Sequence, residues 1–153
     1  MEISSFDDFT TQAYLYPNCG GSNKVPKVSW KNVPNAAKSL AIVLHDPDAP
    51  VLSAHGWIHW IVFNIDPKVT KVFGNNSQLV IPKGATVAKN SYNEIGYGGP
   101  CPPKGPVHRY NLSVVALSKK LDASLANDPI QLLSQIKTYS IDKANVMKTY
   151  GRS

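Results

Sequence analysis

Charge is scarce in this chain. Asp, Glu, Lys and Arg together make up 17% of its 153 residues. Disorder does not follow, because 42% of the residues are apolar or aromatic, enough for a packed core. Arginine is nearly missing, with only Arg109 and Arg152 present. The net charge of +6 is carried by lysines scattered from Lys24 to Lys148, and the densest run is the pair Lys119-Lys120. A nucleic-acid surface clusters Arg and Lys with aromatics between them. The charge here reads as a dispersed solvated surface, so no nucleic-acid partner is expected. No apolar run approaches the roughly 20 residues needed to span a bilayer, and an integral membrane protein is not expected.

Cysteine is also rare. Cys19 and Cys101 are the only two, which permits one bridge but no disulfide framework. Free thiols in a reducing cytosol are the simpler reading. The first residues, MEISSFDDFT, show no basic segment, apolar segment or small-residue cleavage site. A cleaved leader is therefore not expected, and the expected location is cytoplasmic. Nucleotide and nucleophile motifs are missing too: no glycine-rich phosphate loop, no G-x-G-x-x-G and no G-x-S-x-G elbow. Cys101 runs into Pro102-Pro103 rather than into a helix that would lower its pKa. Neither catalysis nor a cofactor is expected.

What the chain does have is twelve prolines and ten glycines, too many for a helical bundle and suited to strands and turns. It reads as one domain over residues 1–153, without repeats or low-complexity tracts. Residues 1–35 are turn-rich, with a short strand at Val28-Ser29-Trp30. Leu40-Ala41-Ile42-Val43-Leu44, between Pro34 and Pro47, predicts a buried strand. Trp57 to Asn64 is apolar on both faces and predicts a central strand. Gly74-Asn75-Asn76 is a turn signal. The irregular stretch from Pro82 to Pro106 is long enough to suggest function. His108 to Leu117 alternates as a third strand. Asp128-Pro129 predicts a helix start, with Ile130, Leu133 and Ile136 at helical spacing. A second helix is predicted from about Ile141 to Tyr150, stopped by Gly151. Strands first and helices last point to an antiparallel sandwich with peripheral helices.

Side chains alternate along a strand, so each strand carries an ionisable group near the end of an apolar row. Asp46 continues the row of Leu40, Ile42 and Leu44. His59 is placed with Trp57, Ile61 and Phe63, and His108 with Tyr110, Leu112 and Val114. Brought together, they form a small polar pocket with apolar walls, the usual form of a ligand site. An Asp–His contact favours imidazolium, and the amides of Gly98 and Gly99 could join it in holding a phosphate or carboxylate. Plainer roles stand beside this one. Asp46 and Asp48 flank Pro47 as in an Asx turn, which is the favoured reading of Asp48. Arg109 reads as a structural ion pair. His45 and His55 are assigned no role. The metal alternative, Asp46 with His59 and His108, needs ligands from three separated segments and is set aside.

Two segments, Asp46-Pro47-Asp48-Ala49-Pro50 with Gly56-Trp57-Ile58-His59-Trp60, and Gly96-Tyr97-Gly98-Gly99-Pro100-Cys101-Pro102-Pro103-Lys104-Gly105 running into His108-Arg109-Tyr110, resemble the phosphatidylethanolamine-binding proteins. The likeness is greatest to their prokaryotic, Raf-kinase-inhibitor-like branch. Cys19-Gly20-Gly21-Ser22-Asn23 and Trp30 add support. The resemblance implies a mainly β, Greek-key antiparallel sandwich with short peripheral and C-terminal helices. It also implies an anion pocket formed by Asp46, His59 and His108, with Trp57, Tyr110, Pro50, Gly99 and Pro100 as walls. Ile58 and His45 depart from the residues usual beside that pocket. The implied function is non-catalytic binding of phosphate or a phosphorylated head group such as phosphoethanolamine. The alternative is inhibition of a kinase or serine protease through the Pro82–Pro106 loop. A homodimer is a further implication of this branch.

Overall fold

The computed structural model describes residues 1–49, 56–75, 78–80 and 82–153. The run Leu40–Leu44 is apolar on both sides of its strand, and the fold buries both sides. Strand β3 (Ser39–Asp46) lies in the middle of a five-stranded antiparallel sheet. On one side it pairs with β4 (Trp57–Ile65), and beyond that lies the short β7 (Thr86–Val87). On the other it pairs with β8 (His108–Leu117), which in turn pairs with β9 (Ser140–Tyr150). A second sheet takes the order β1 (Glu2–Phe6), β2 (Val28–Lys31), β5 (Lys71–Asn75) and β6 (Gln78–Val80).

The core between the sheets holds Leu40, Ile42 and Leu44 of β3, Trp60 and Val62 of β4, and Tyr110, Leu112 and Val114 of β8, with Val28 and Trp30 from the facing sheet. The outer face of the larger sheet is covered by the only α-helix among the described residues, α1 (Pro129–Tyr139), through Leu132, Leu133 and Ile136 against Ala41, Val43 and Val115. Asp128 starts that helix as its residue type suggests: Oδ1 accepts from Gln131 N, and Pro129 opens the first turn. The chain is thus mainly β, two antiparallel sheets with helical segments at the periphery.

Three expectations are corrected. The predicted helix at Ile141–Tyr150 is strand β9, paired along its length with β8. Its real period is two: Ala144, Val146, Lys148 and Tyr150 turn inward and the residues between them are exposed. Partnering at the open edge of β8 overrides the helix-forming tendency of Ala, Met and Lys. The N-terminal turn-rich segment contains β1, which pairs with β2. The cysteines are not free: Cys19 and Cys101 form a disulfide across a sequence separation of 82. Tertiary packing brings their Cα atoms to 5.6 Å, inside the bridging range. The compartment argument drawn from free thiols falls with them. Gly74 and Asn75 end β5, while Asn76 and His55 lie outside the described residues. No helix among the described residues is long and apolar enough to cross a membrane.

A cross-link closing so long a loop restricts the unfolded chain by about 4 kcal/mol. The Cys19→Ser/Cys101→Ser double variant is expected to lose stability of that order in urea unfolding. A loss under about 1 kcal/mol would mean that hydrogen bonds alone hold the two segments together.

Candidate functional site

Asp46 stands at the end of β3, and His108 at the start of β8, so antiparallel pairing sets them at the same end of the sheet. Both are almost fully buried, at 2% and 6% exposure. A carboxylate at that depth must be paired. His108 Nδ1 donates to Asp46 Oδ2 at 2.7 Å, and Asp48 N donates to Oδ1 at 2.8 Å. Asp46, then, is the residue that makes the Asx-type turn. Asp48 instead accepts from Arg109 N, Nε and Nη2 at 2.9, 2.8 and 2.7 Å. The hydrogen bonds from Arg109 hold its carboxyl down to about 2. Arg109 is the structural ion pair its position suggested. Gly56, which leads into β4, has φ +74°, and a Cβ there would lie 2.4 Å from the Asp46 carbonyl oxygen. Only glycine lets the chain return so close to the turn.

His59 reaches the site by a route that alternation cannot show. In the β3–β4 ladder Leu44 faces Trp60 and His45 faces Ile58, which leaves His59 as the extra residue of a β-bulge. Ile58, Ile61 and Phe63 pack outward under α1, whereas Trp60 packs inward. The expectation that His59 shares a face with Ile61 and Phe63 is therefore corrected. The bulge turns its ring inward against Tyr92 and Tyr110, at centroid distances of 5.9 and 5.4 Å. His59 Nδ1 lies 2.7 Å from the Gly98 carbonyl oxygen, while Nε2 is buried without a partner. Burial is the main influence on the ring and pushes its pKa down to about 4. Burial thus disfavours an imidazolium at His59.

Asp46 and His108 open on a cavity of about 420 Å³. Trp57 and Tyr110 line it from the sheet, as the sequence reading placed them, with Ala49 beside them. Tyr16 and Asn18 line it from the N-terminal segment, and Tyr92 and Cys101-Pro102-Pro103 from the long loop. Neither Lys nor Arg lines it among the described residues. The Pro82–Pro106 stretch is held in place by buried Asn90, whose Oδ1 accepts from Tyr92 N and whose Nδ2 donates to the Gly96 carbonyl. Tyr92 stacks on Tyr16 with centroids 3.7 Å apart and donates to the Gly99 carbonyl at 2.8 Å. Burial raises the phenol pKa of Tyr92 and Tyr110, so both remain protonated donors.

Gly99 and Pro100, expected as walls, sit one step behind the cavity. A Cβ on Gly99 would lie 1.9 Å from the Tyr14 carbonyl oxygen, and the Pro100 carbonyl accepts from Tyr16 N. They clamp the N-terminal segment instead. The amides of Gly98 and Gly99 are not open to a ligand: they donate to the His59 carbonyl and to Asn23 Oδ1. Pro50 lies outside the described residues. Tyr16 and Tyr92 were missed, since nothing in their local pattern separates a wall aromatic from an ordinary loop tyrosine. Among the described residues no three His, Cys, Asp or Glu side chains gather as a metal site.

Fold and site together define a two-sheet β-sandwich with an aromatic-walled cavity at one end of its strands. The family model described as phosphatidylethanolamine-binding protein matches residues 5–151, and the chain belongs to that family. Among curated relatives, a UPF0098 protein of Methanothermobacter thermautotrophicus is 37% identical over 135 residues, spanning 88% of this chain and 87% of its own. The UPF0098 protein YbhB of Escherichia coli is 42% identical over 135 residues, spanning 86% and 84%. Among solved structures, E. coli YbcL, described as a member of the mammalian PEBP family, matches with a TM-score of 0.79 at 27% identity over the full length of both chains.

The neutral, buried His59 makes stability pH-dependent. Its folded pKa lies below the ordinary value of 6.5, so the unfolded chain binds the proton first. Stability is then lost as pH falls from about 6.5 toward 4, by up to about 3 kcal/mol. Urea unfolding at pH 7.0, 5.5 and 4.5 is expected to show that loss. His59→Leu should flatten this part of the profile, and an unchanged slope would contradict a buried neutral ring.

Proposed function

We propose that the cavity binds a small anion, phosphate or a phosphorylated head group such as phosphoethanolamine, and holds it without transforming it. The observation that carries this reading is the buried Asp46–His108 pair at an apolar-walled cavity whose remaining donors are unspent. Trp57 Nε1 is buried without a partner, and the Tyr110 hydroxyl makes no hydrogen bond among the described residues. These groups supply donors to anionic oxygens from a dry wall, where each hydrogen bond counts for more than in water. The family's description as phosphatidylethanolamine-binding supports a phosphorylated ligand. Retention without chemistry is favoured by the lining. Its cysteine is tied up in the disulfide, and no Ser, Thr or Lys stands beside His108 as a nucleophile among the described lining residues.

Calorimetry with inorganic phosphate and with phosphoethanolamine tests the reading. The wild-type protein is expected to bind both, and His108→Ala, checked for folding by circular dichroism, to lose at least about tenfold in affinity. Equal affinity in the two proteins would remove this cavity as the site. Turnover of phosphoethanolamine would overturn the non-catalytic half of the proposal.

A further inference from the structure

The wall segment Cys101-Pro102-Pro103 is fastened differently from the rest of the long loop. Up to Pro100 hydrogen bonds hold the loop to the N-terminal segment: Gly99 N donates to Asn23 Oδ1, and the Pro100 carbonyl accepts from Tyr16 N. Beyond Pro100 that support stops. Pro102 and Pro103 have no N–H to give, and Cys101 N makes no hydrogen bond among the described residues. Of residues 101–107 only Pro102 is buried. What else holds the segment before β8 begins, among the described residues, is Arg152 and the disulfide. Arg152 Nη1 donates to the Pro102 carbonyl at 3.3 Å, and the Arg152 carbonyl accepts from Gly105 N at 3.1 Å. The disulfide ties Cys101 to Cys19. Cys19 is a firm post: it ends the tight turn Pro17–Cys19, with its N–H on the Tyr16 carbonyl at 2.9 Å. Tyr16 and Asn18 line the cavity, and so does Cys101, so the S–S bond joins two stretches of cavity wall. Both cysteines keep partial exposure, which gives a thiolate access to the bond.

We propose that the Cys19–Cys101 disulfide is a redox latch on the cavity wall, released by exchange with a dithiol. One thiolate of the dithiol attacks a cysteine sulfur. The S–S bond breaks, and the other cysteine leaves as a thiolate that takes up a proton. The second thiol of the dithiol then displaces the first cysteine and closes the reagent's own disulfide. The protein gains two electrons and two protons, and the dithiol loses them. Pro100 and the loop before it stay in place, because their hydrogen bonds and the Tyr16–Tyr92 stack do not involve sulfur. Cys101–Pro103 is left with one packed proline and the Arg152 contacts, of which the side-chain bond is long. A segment with so few buried contacts and hydrogen bonds opens locally at little cost, without unfolding the sheets. The oxidised protein therefore has a fixed, narrow cavity, and the reduced protein a looser and more accessible one. The latch acts whatever ligand the cavity holds.

Trp57 lines the cavity, whereas Trp30 and Trp60 are sealed in the core at 2% and 0% exposure. Acrylamide quenching of tryptophan fluorescence therefore reads access to the cavity. The experiment compares the protein before and after dithiothreitol, with thiol titration and far-UV circular dichroism on the same samples. Reduction is expected to release two thiols, keep the far-UV spectrum and raise the quenching constant at least about twofold. Reoxidation should reverse the rise. The Cys19→Ser/Cys101→Ser variant should quench like the reduced protein, with or without the dithiol. Arg152→Ala should leave the oxidised protein's quenching unchanged and raise that of the reduced protein further. Two released thiols with unchanged quenching overturn the latch. Thiols that appear only as the far-UV spectrum collapses mark a staple of the whole fold, and overturn it as well. So does an oxidised Arg152→Ala protein that quenches as strongly as the reduced wild type, since the arginine would then be the tie that counts.

Discussion

Satisfying a buried carboxylate governs how this end of the sandwich is put together. Asp46 is out of water, and each of its oxygens accepts a hydrogen bond, one from His108 and one from the amide of Asp48. Asp48, stationed by that turn, then takes three donors from Arg109. Two residues of one turn, separated by Pro47, thus grip adjacent residues of one strand, the inner pair dry and the outer pair half in solvent. The inner contact matters more, because breaking it would strand a charge in a low-dielectric interior, whereas an exposed pair contributes little.

The cavity exists because irregular backbone is laid over this clasp and fastened there. Asn90 organises the loop from within, Tyr92 stacks on Tyr16, and the Tyr97 hydroxyl donates to the Tyr14 carbonyl at 2.7 Å. The disulfide adds a covalent stitch between the same two segments. Aromatic rings and prolines make walls that are rigid and apolar, and they confine the polar chemistry to a few groups.

Much of the frame was legible in order along the chain. The apolar runs at Leu40–Leu44, Trp57–Phe63 and His108–Leu117 are strands because β-branched and aromatic side chains fit a pleated, two-sided burial. Asp128-Pro129 opens a helix because the cap and the ring act locally. Ser140–Tyr150 was misread because its alternation is diluted by lysines, and only the open edge of β8 decides its state. His59 was placed on the wrong face because one bulge residue reverses the parity of everything before it.

Residue types and short spacings were enough to determine an antiparallel β frame, an acid and an imidazole each near the end of an apolar row, and a long loop too structured in composition to be mere linker. Those are local properties, written in side-chain volume, polarity and turn chemistry. Tertiary structure alone decided that Cys19 meets Cys101, that Cys101–Pro103 rather than Gly99-Pro100 forms the wall, and that His59 turns inward with an unpartnered nitrogen. Each of these depends on segments far apart in sequence arriving at one place, and no local preference carries that information.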